Sequence, residues 1–178
     1  LFLHGALTYI WPESLYLEVV GITEANAAAK DFVIVAPLAS PGEPFAVVSE
    51  SRTHPDRFGK EILYVERFQE TLVWDCFLAA CDAIGPGRVD FTRLCASGYS
   101  MGAQATWDLA ITRGSLLAAI SPMAGRCLWP EGSWEQAQLV FQELCELPIR
   151  AFSVETDTYT YELKDFCWLA EARGLDPE

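Results

Sequence analysis

The sequence predicts an α/β domain in which helices cover both faces of a mostly parallel β-sheet. Short apolar runs that suit buried strands alternate along the chain with longer stretches that suit helices. The chain has 178 residues, of which 51% are hydrophobic, enough for one domain with a sizeable core. We therefore treat residues 1–178 as a single domain.

The predicted strands are apolar runs that stop at glycine, proline or serine. Residues 1–3 end at His4-Gly5, and residues 32–36 form a continuous apolar run that stops at Pro37. Such a run is typical of a strand that is buried on both faces. Further strands are predicted over 94–97, over 117–120 with Ser121-Pro122 closing it, and over 149–154.

The clearest predicted helix covers residues 66–84 and ends at Gly85. One apolar residue recurs at every fourth position, while Asp75 and Asp82 fall outside that stripe. The stripe contains Phe68, Leu72, Cys76, Ala80 and Ile84. Other helices are predicted over 101–112, 134–144 and 161–173, and an alanine-rich run at 26–29 also suits a helix.

The charge excludes several classes of partner. Twelve basic and 25 acidic residues give a net charge of −13, whereas nucleic-acid binding needs a basic surface. Anionic membranes likewise attract polybasic segments, and no apolar run is long enough to span a bilayer. The sequence therefore predicts neither a nucleic-acid partner nor a membrane span.

The strongest motif is Gly98-Tyr99-Ser100-Met101-Gly102, a G-x-S-x-G pattern between a predicted strand and a predicted helix. In a nucleophile elbow, the sharp turn projects the serine hydroxyl, and the glycines permit close backbone approach. The backbone N–H of Met101 can then face a developing oxyanion. The alternative is a tight turn with an incidental serine.

Several stretches resemble the α/β-hydrolase superfamily, and within it the phospholipase/carboxylesterase and polyhydroxybutyrate-depolymerase-like serine esterases. The stretches are 1–6, 33–37, 89–93, the elbow, 106–110 and 119–125. The resemblance implies a three-layer α/β-hydrolase fold, a second oxyanion donor at the backbone N–H of Ala6 or Leu7, and a structural role for His4. Two departures are Ala103 in place of a second glycine, and Ser153-Val154 in place of His-Gly.

A serine nucleophile needs a base, and this fold orders its residues as serine, acid, histidine. Asp157 is the predicted acid and Glu155 the second choice, with a solvated loop carboxylate as the alternative. The only histidines are His4 and His54, and we interpret His54 as a surface residue. We therefore expect a fragment that lacks the first strands and the last strand, with the histidine outside it. The 178 residues alone should be nearly inactive.

Two functions stay open on the sequence. One is a serine esterase that forms an acyl-enzyme on a small-molecule ester without a metal or organic cofactor; peptidases and thioesterases share the elbow. The other is a non-catalytic binding domain that lacks the base. An apolar pocket could include Trp11, Phe45, Trp129 and Trp134, although residues of this kind are more often part of ordinary packing.

The six cysteines form no C-x-x-C pair, and with two histidines they predict no zinc site. Buried free thiols are the expected state, and a secreted, disulfide-bonded chain is the alternative. The cytoplasm is therefore favoured, while the compartment and the oligomeric state stay open.

Overall fold

The computed structural model describes residues 1–5, 32–38, 46–47, 54–55, 61–62, 67–68, 70–125, 144 and 146–154. The predicted helix over 161–173, the alanine-rich run at 26–29 and, apart from Leu144, the helix over 134–144 lie outside the described residues. In chain order the strands are β1 (Phe2–Leu3), β2 (Ala46–Val47), β3 (His54–Pro55), β4 (Glu61–Ile62), β5 (Arg67–Phe68), β6 (Cys95–Tyr99) and β7 (Ala119–Met123). The helices are α1 (Glu70–Ile84) and α2 (Met101–Arg113).

The central sheet is parallel and has the strand order β1-β6-β7. The register aligns Leu3 with Gly98 and Tyr99 with Met123, so these strands end at one edge. Two short antiparallel pairs, β2 with β5 and β3 with β4, lie between β1 and α1 in the sequence. The predicted α/β class is confirmed, with Ser100 at the carboxyl edge of the sheet.

Residues 149–152 continue the sheet beyond β7 through parallel bridges from Ile120 to Ile149 and from Met123 to Phe152. The Ile120 N–H donates to the carbonyl of Pro148, just before this segment, and the Ala124 N–H donates to the carbonyl of Phe152. Position 122 lies between them, but Pro122 has no N–H to donate. This missing donor explains why the pairing consists of separate bridges rather than a continuous ladder.

Two strand predictions are wrong in detail. β7 continues through Ser121 and Pro122, which we expected to close it, because the residue 122 carbonyl still accepts from Phe152 N at 2.9 Å. Residues 32–36 are not buried on both faces: Phe32 is 61% exposed and Val33 49%. A cavity of about 560 Å³ adjoins this segment, whose Val35 carbonyl accepts from Phe2 N. The segment therefore lies at the border of the described sheet.

Helix α1 buries a different stripe from the predicted one. Leu72 and Cys76 are exposed, whereas Val73, Phe77 and Cys81 are buried. The buried stripe is therefore displaced by one residue, which turns the helix by about 100°. Cys76, Cys81 and Cys95 are all free thiols, as expected, but Cys76 and Cys95 are exposed rather than buried.

Helix α2 packs on all three strands of the central sheet, and α1 contacts α2. Trp107 and Leu109 of α2 are buried in one cluster with Phe77 of α1 and Ile120 of β7. A second cluster joins Leu3, Val73 and Ala105. The described ranges thus contain one helical layer on the sheet, and the second layer of the predicted three-layer fold stays a prediction.

Replacement of Gly102 by alanine should destabilise the fold, although alanine normally favours a helix. A Cβ at Gly102 would overlap the backbone carbonyl of Leu3, which cannot rotate away. We expect a loss of about 3 kcal/mol or more in the free energy of unfolding, measured in urea. The control is Gly114→Ala, since a Cβ at Gly114 meets nothing within 4 Å. Equal stability of the two variants would contradict this packing.

Asp108 on α2 should make stability fall as pH rises. Burial raises the pKa of its carboxyl from 3.8 to about 6. Between these values the folded state binds the proton more tightly than the unfolded state, so stability decreases through this window. Asp108→Asn should therefore gain up to about 3 kcal/mol over the wild type at pH 7.5 and almost nothing at pH 3.5. Urea unfolding at both pH values measures the gain.

The control for Asp108 is Asp75→Asn, which removes an exposed carboxylate from α1 and changes the net charge equally. It should show a much smaller dependence on pH. The interpretation fails if the two variants show the same gain at both pH values.

Candidate active site

Ser100 connects β6 to α2 in a conformation that L-residues rarely adopt, with φ 54° and ψ −115°. Three backbone hydrogen bonds hold this turn. The Ser100 N–H donates to the Met123 carbonyl at 2.9 Å, and the Ser100 carbonyl accepts from Ala103 N at 3.0 Å and Gln104 N at 3.1 Å. The surrounding strand and helix therefore impose the strained conformation.

The two elbow glycines are required by close backbone contacts. A Cβ at Gly98 would overlap the Gly102 carbonyl and lie 2.8 Å from Thr106 Oγ1. A Cβ at Gly102 would overlap the Leu3 carbonyl, so the first turn of α2 sits directly against the end of β1. These contacts provide the physical reason for both glycines of the motif.

Ser100 occupies the N-cap of α2, but its side chain makes no capping hydrogen bond. A serine at this position normally accepts from a backbone N–H of the first turn. The half-buried Ser100 thus does not use its hydroxyl to stabilise the helix. Next to it, the N–H groups of Met101 and Gly102 have no carbonyl one turn earlier in the helix to donate to, and they lie at the positive end of the helix dipole.

The loop after β7 also approaches the elbow closely. Ala124 has φ 51°, and its N–H donates to the Phe152 carbonyl at 2.7 Å. A Cβ at Gly125 would overlap that of Ala103. Among described residues other than glycine, only Ser100 and Ala124 have positive φ, and Met123 connects them. Within the described residues, the two strained backbone positions thus lie close together, one in the elbow and one in the loop after β7.

His4 closes the other side of the elbow, at the end of β1. Its side chain is 1% exposed, and its Nδ1–H donates to the Gly5 carbonyl at 2.7 Å. Burial lowers the pKa of His4, although this hydrogen bond acts in the opposite direction. The bond ties the imidazole to the loop that follows β1, as expected for a structural histidine.

The structure brings several predicted site residues together and leaves others undescribed. Ser100, Met101, Gly98 and Gly102 form the elbow. His54 lies in β3, where its backbone pairs with Ile62. The remaining candidates lie outside the described residues: Ala6, Leu7, Glu155, Asp157, Trp11, Phe45, Trp129 and Trp134. Both departures are described, since Ala103 is buried on α2 and Ser153-Val154 follow the strand-like segment 149–152.

Sequence reasoning missed Tyr99 and Ala124. Tyr99 is 56% exposed beside Ser100, and only its position inside the motif could have indicated it. Ala124 has a left-handed conformation without being glycine or asparagine, so no propensity rule identifies it. The adjacent Gly125 was the available signal for a close approach.

No family model and no curated protein matches the chain. Among solved structures, it is similar to a thermostable esterase, with 19% sequence identity and a TM-score of 0.51. This likeness shows that the chain shares the fold of that esterase. The match covers 96% of this chain and 53% of the esterase, so the chain spans about half the length of that protein.

Two further features concern the described residues. Neither described helix has the length and hydropathy needed to cross a membrane. The same residues contain no group of three or more His, Cys, Asp or Glu side chains that could hold a metal ion.

Substitution of Ser100 should reveal the strain of the elbow. Glycine adopts φ 54° without the steric cost that any Cβ brings, so Ser100→Gly should be more stable than Ser100→Ala by about 1 kcal/mol. At the exposed Ser115, which lies in a 3-10 turn with negative φ, the order should reverse. Urea unfolding of the four variants measures both differences. A Ser100→Ala variant that is more stable than Ser100→Gly would disprove the strain at position 100.

Proposed function

We propose that this protein is a serine hydrolase that cleaves small-molecule carboxylic esters through an acyl-enzyme, with Ser100 as nucleophile. The observation that carries the proposal is the strained turn that presents an uncapped serine hydroxyl at the N-terminus of α2. The esterase-like fold supports this reaction class because ligands of parallel α/β sheets bind at the carboxyl edge of the strands.

In the first step, Ser100 Oγ attacks the ester carbonyl carbon, and its proton passes to a base. The carbonyl oxygen becomes an oxyanion, which the N–H groups of Met101 and of Ala6 or Leu7 would stabilise. Collapse of this intermediate breaks the bond to the alcohol, which leaves with the proton from the base. Water then attacks the acyl-enzyme in the same way and releases the carboxylic acid.

The proposed base is a histidine that a carboxylate orients, with Asp157 as the proposed acid and Glu155 as second choice. The path of the chain supports an acid in this region. Residues 149–152 run parallel to β7, so the chain leaves this segment at the edge that carries Ser100. Val154 is the last described residue before both candidates. Asp157 is three residues beyond Val154 in the sequence, so it follows a segment that ends at the edge of the sheet carrying Ser100.

The buried His4 is less suited to this role. Its Nδ1–H is bound to the carbonyl of the next residue, and burial lowers its pKa and disfavours the imidazolium that a general base must form. A structural role for His4 therefore fits the proposed mechanism better.

Ser100→Ala in the full-length gene product should lower kcat on p-nitrophenyl and short acyl esters by at least about 10³-fold, because it removes the nucleophile. Labelling by a fluorophosphonate should disappear with it. Ser115→Ala, an exposed serine in the 3-10 turn Gly114–Leu116, is the matched control and should keep both activities. Both proteins should fold alike in circular dichroism.

Two results would contradict the proposal. Near-normal turnover or labelling of Ser100→Ala would show that another residue is the nucleophile. A folded wild-type protein that hydrolyses no ester and takes up no fluorophosphonate would favour the alternative function, a non-catalytic binding domain.

A further inference from the structure

Three large apolar side chains form one row across the sheet, at its carboxyl edge. Tyr99 of β6 is in register with Met123 of β7, and Met123 forms a parallel bridge with Phe152. Residues that are in register on parallel strands project from the same face of a sheet. We refer to Tyr99, Met123 and Phe152 as the apolar row.

The apolar row projects from the face of the sheet that is opposite to α2. Ala96 and Ile120 belong to the buried cluster beneath α2, and Ala151 packs against that cluster. Side chains alternate between the two faces along a strand, so the row, at odd spacings from these residues, lies on the other face. Tyr99 and Phe152 are accordingly exposed.

The row begins at the residue next to Ser100. Tyr99 directly precedes Ser100, and the Ser100 N–H donates to the Met123 carbonyl at 2.9 Å, so the elbow is joined to two members of the row. Neighbouring strands lie about 4.8 Å apart, which puts the Cα of Phe152 roughly 10 Å from that of Tyr99. The row is therefore a narrow apolar surface that leads away from Ser100 in one direction.

A charged side chain restrains the far end of the row. The guanidinium carbon of Arg150 lies 5.5 Å from the centroid of the Phe152 ring, within the range of a cation–π interaction. This contact favours one placement of a ring that is otherwise exposed. A ligand that packs against the ring then loses less side-chain entropy on binding.

We propose that the apolar row binds the acyl group of the ester, so that the preferred substrates carry an extended aliphatic acyl chain. This inference rests on the proposed function, in which the acyl group becomes attached to Ser100. A chain attached there starts at one end of the row and can follow it as far as Phe152. Each methylene group that lies on the row leaves water, which favours binding.

The experiment uses the full-length protein with p-nitrophenyl acetate, butyrate and octanoate, which differ only in the acyl group. Complete burial of a methylene group is worth about fourfold in binding, and a surface that covers one side of the chain should give about half of that free energy. We therefore expect kcat/KM to rise by about twofold for each added methylene group.

The order of the row predicts which chain length each substitution affects. Tyr99→Ala should abolish most of the roughly fourfold preference for butyrate over acetate, because Tyr99 lies next to Ser100. Phe152→Ala should lower the octanoate-to-butyrate ratio by about fourfold and change the butyrate-to-acetate ratio much less, because a butyryl chain is too short to reach Phe152. A purely structural role would not separate the two ratios in this way.

Two control variants accompany these substitutions. Tyr99→Phe keeps the apolar ring and should keep the wild-type ratios. Phe91→Ala removes a similarly exposed aromatic side chain near the opposite end of β6 and should also keep them. Circular dichroism checks that each variant is folded. An alanine variant that does not fold is replaced by glutamine at the same position, which keeps a long side chain but removes the apolar ring.

Three results would overturn the inference: a wild type whose kcat/KM does not rise with acyl length, folded alanine variants that keep the wild-type ratios, or a Phe152→Ala variant that affects butyrate as strongly as octanoate. A preference that appears only when the alcohol of alkyl acetates is lengthened would assign the row to the leaving group and overturn it as well.

Fluorophosphonate labelling of Ser100 separates this inference from the proposed function. A wild type that is labelled and hydrolyses esters without any preference for acyl length overturns the inference alone. A folded wild type that is not labelled and hydrolyses no ester overturns both.

Discussion

The contact between Gly102 and the Leu3 carbonyl is the constraint on which the rest of the elbow depends. With no side chain at Gly102, the first turn of α2 rests directly on the end of β1, and Gly98 allows the same helix to approach β6. The chain must then reverse between Tyr99 and Met101 within a single residue. Ser100 has a left-handed φ because no relaxed conformation joins the two elements at this distance.

This constraint also explains why strain occurs in two neighbouring loops. β7 pairs with β6 up to Met123, whose carbonyl accepts from the strained Ser100. The next residue, Ala124, has positive φ, and Gly125 passes against Ala103 of the helix. Both loops thus adapt to the position of the α2 N-terminus. His4 fixes the loop after β1 in a different way, with a side-chain hydrogen bond rather than a strained backbone.

The sequence predicted those parts of the fold that depend on local pattern. The glycine spacing of the motif located the elbow, and the positions of α2 and β6 follow from the apolar runs beside it. The errors arose where tertiary contacts decide between similar local options. Two adjacent apolar stripes exist on α1, and only packing against α2 and the sheet selects Val73 and Phe77 over Leu72.

Proline normally predicts the end of a strand, but β7 continues through Pro122, and the sequence does not show that a parallel sheet tolerates this single missing donor. The candidate site likewise contains residues that a local pattern predicts and residues that only tertiary contacts determine. Ser100 and Met101 are recognisable from spacing, since a motif fixes their geometry. Tyr99 and Ala124 depend on which loops the fold brings beside them, and no local pattern contains that information. The position of a distant partner such as the acid depends on the order and direction of the strands, which a local motif does not specify.

Position 100 is occupied by serine rather than by glycine. The conformation there suits glycine, and a residue with a Cβ costs on the order of 1–3 kcal/mol in such a region. Serine at an N-cap usually recovers about 1 kcal/mol through its side-chain hydrogen bond, but here that bond is not made. The Cβ of Ser100 thus lowers stability, and its hydroxyl does not cap the helix. A turn with a structural role alone would favour glycine, and the proposed role of the hydroxyl as nucleophile accounts for serine at this position.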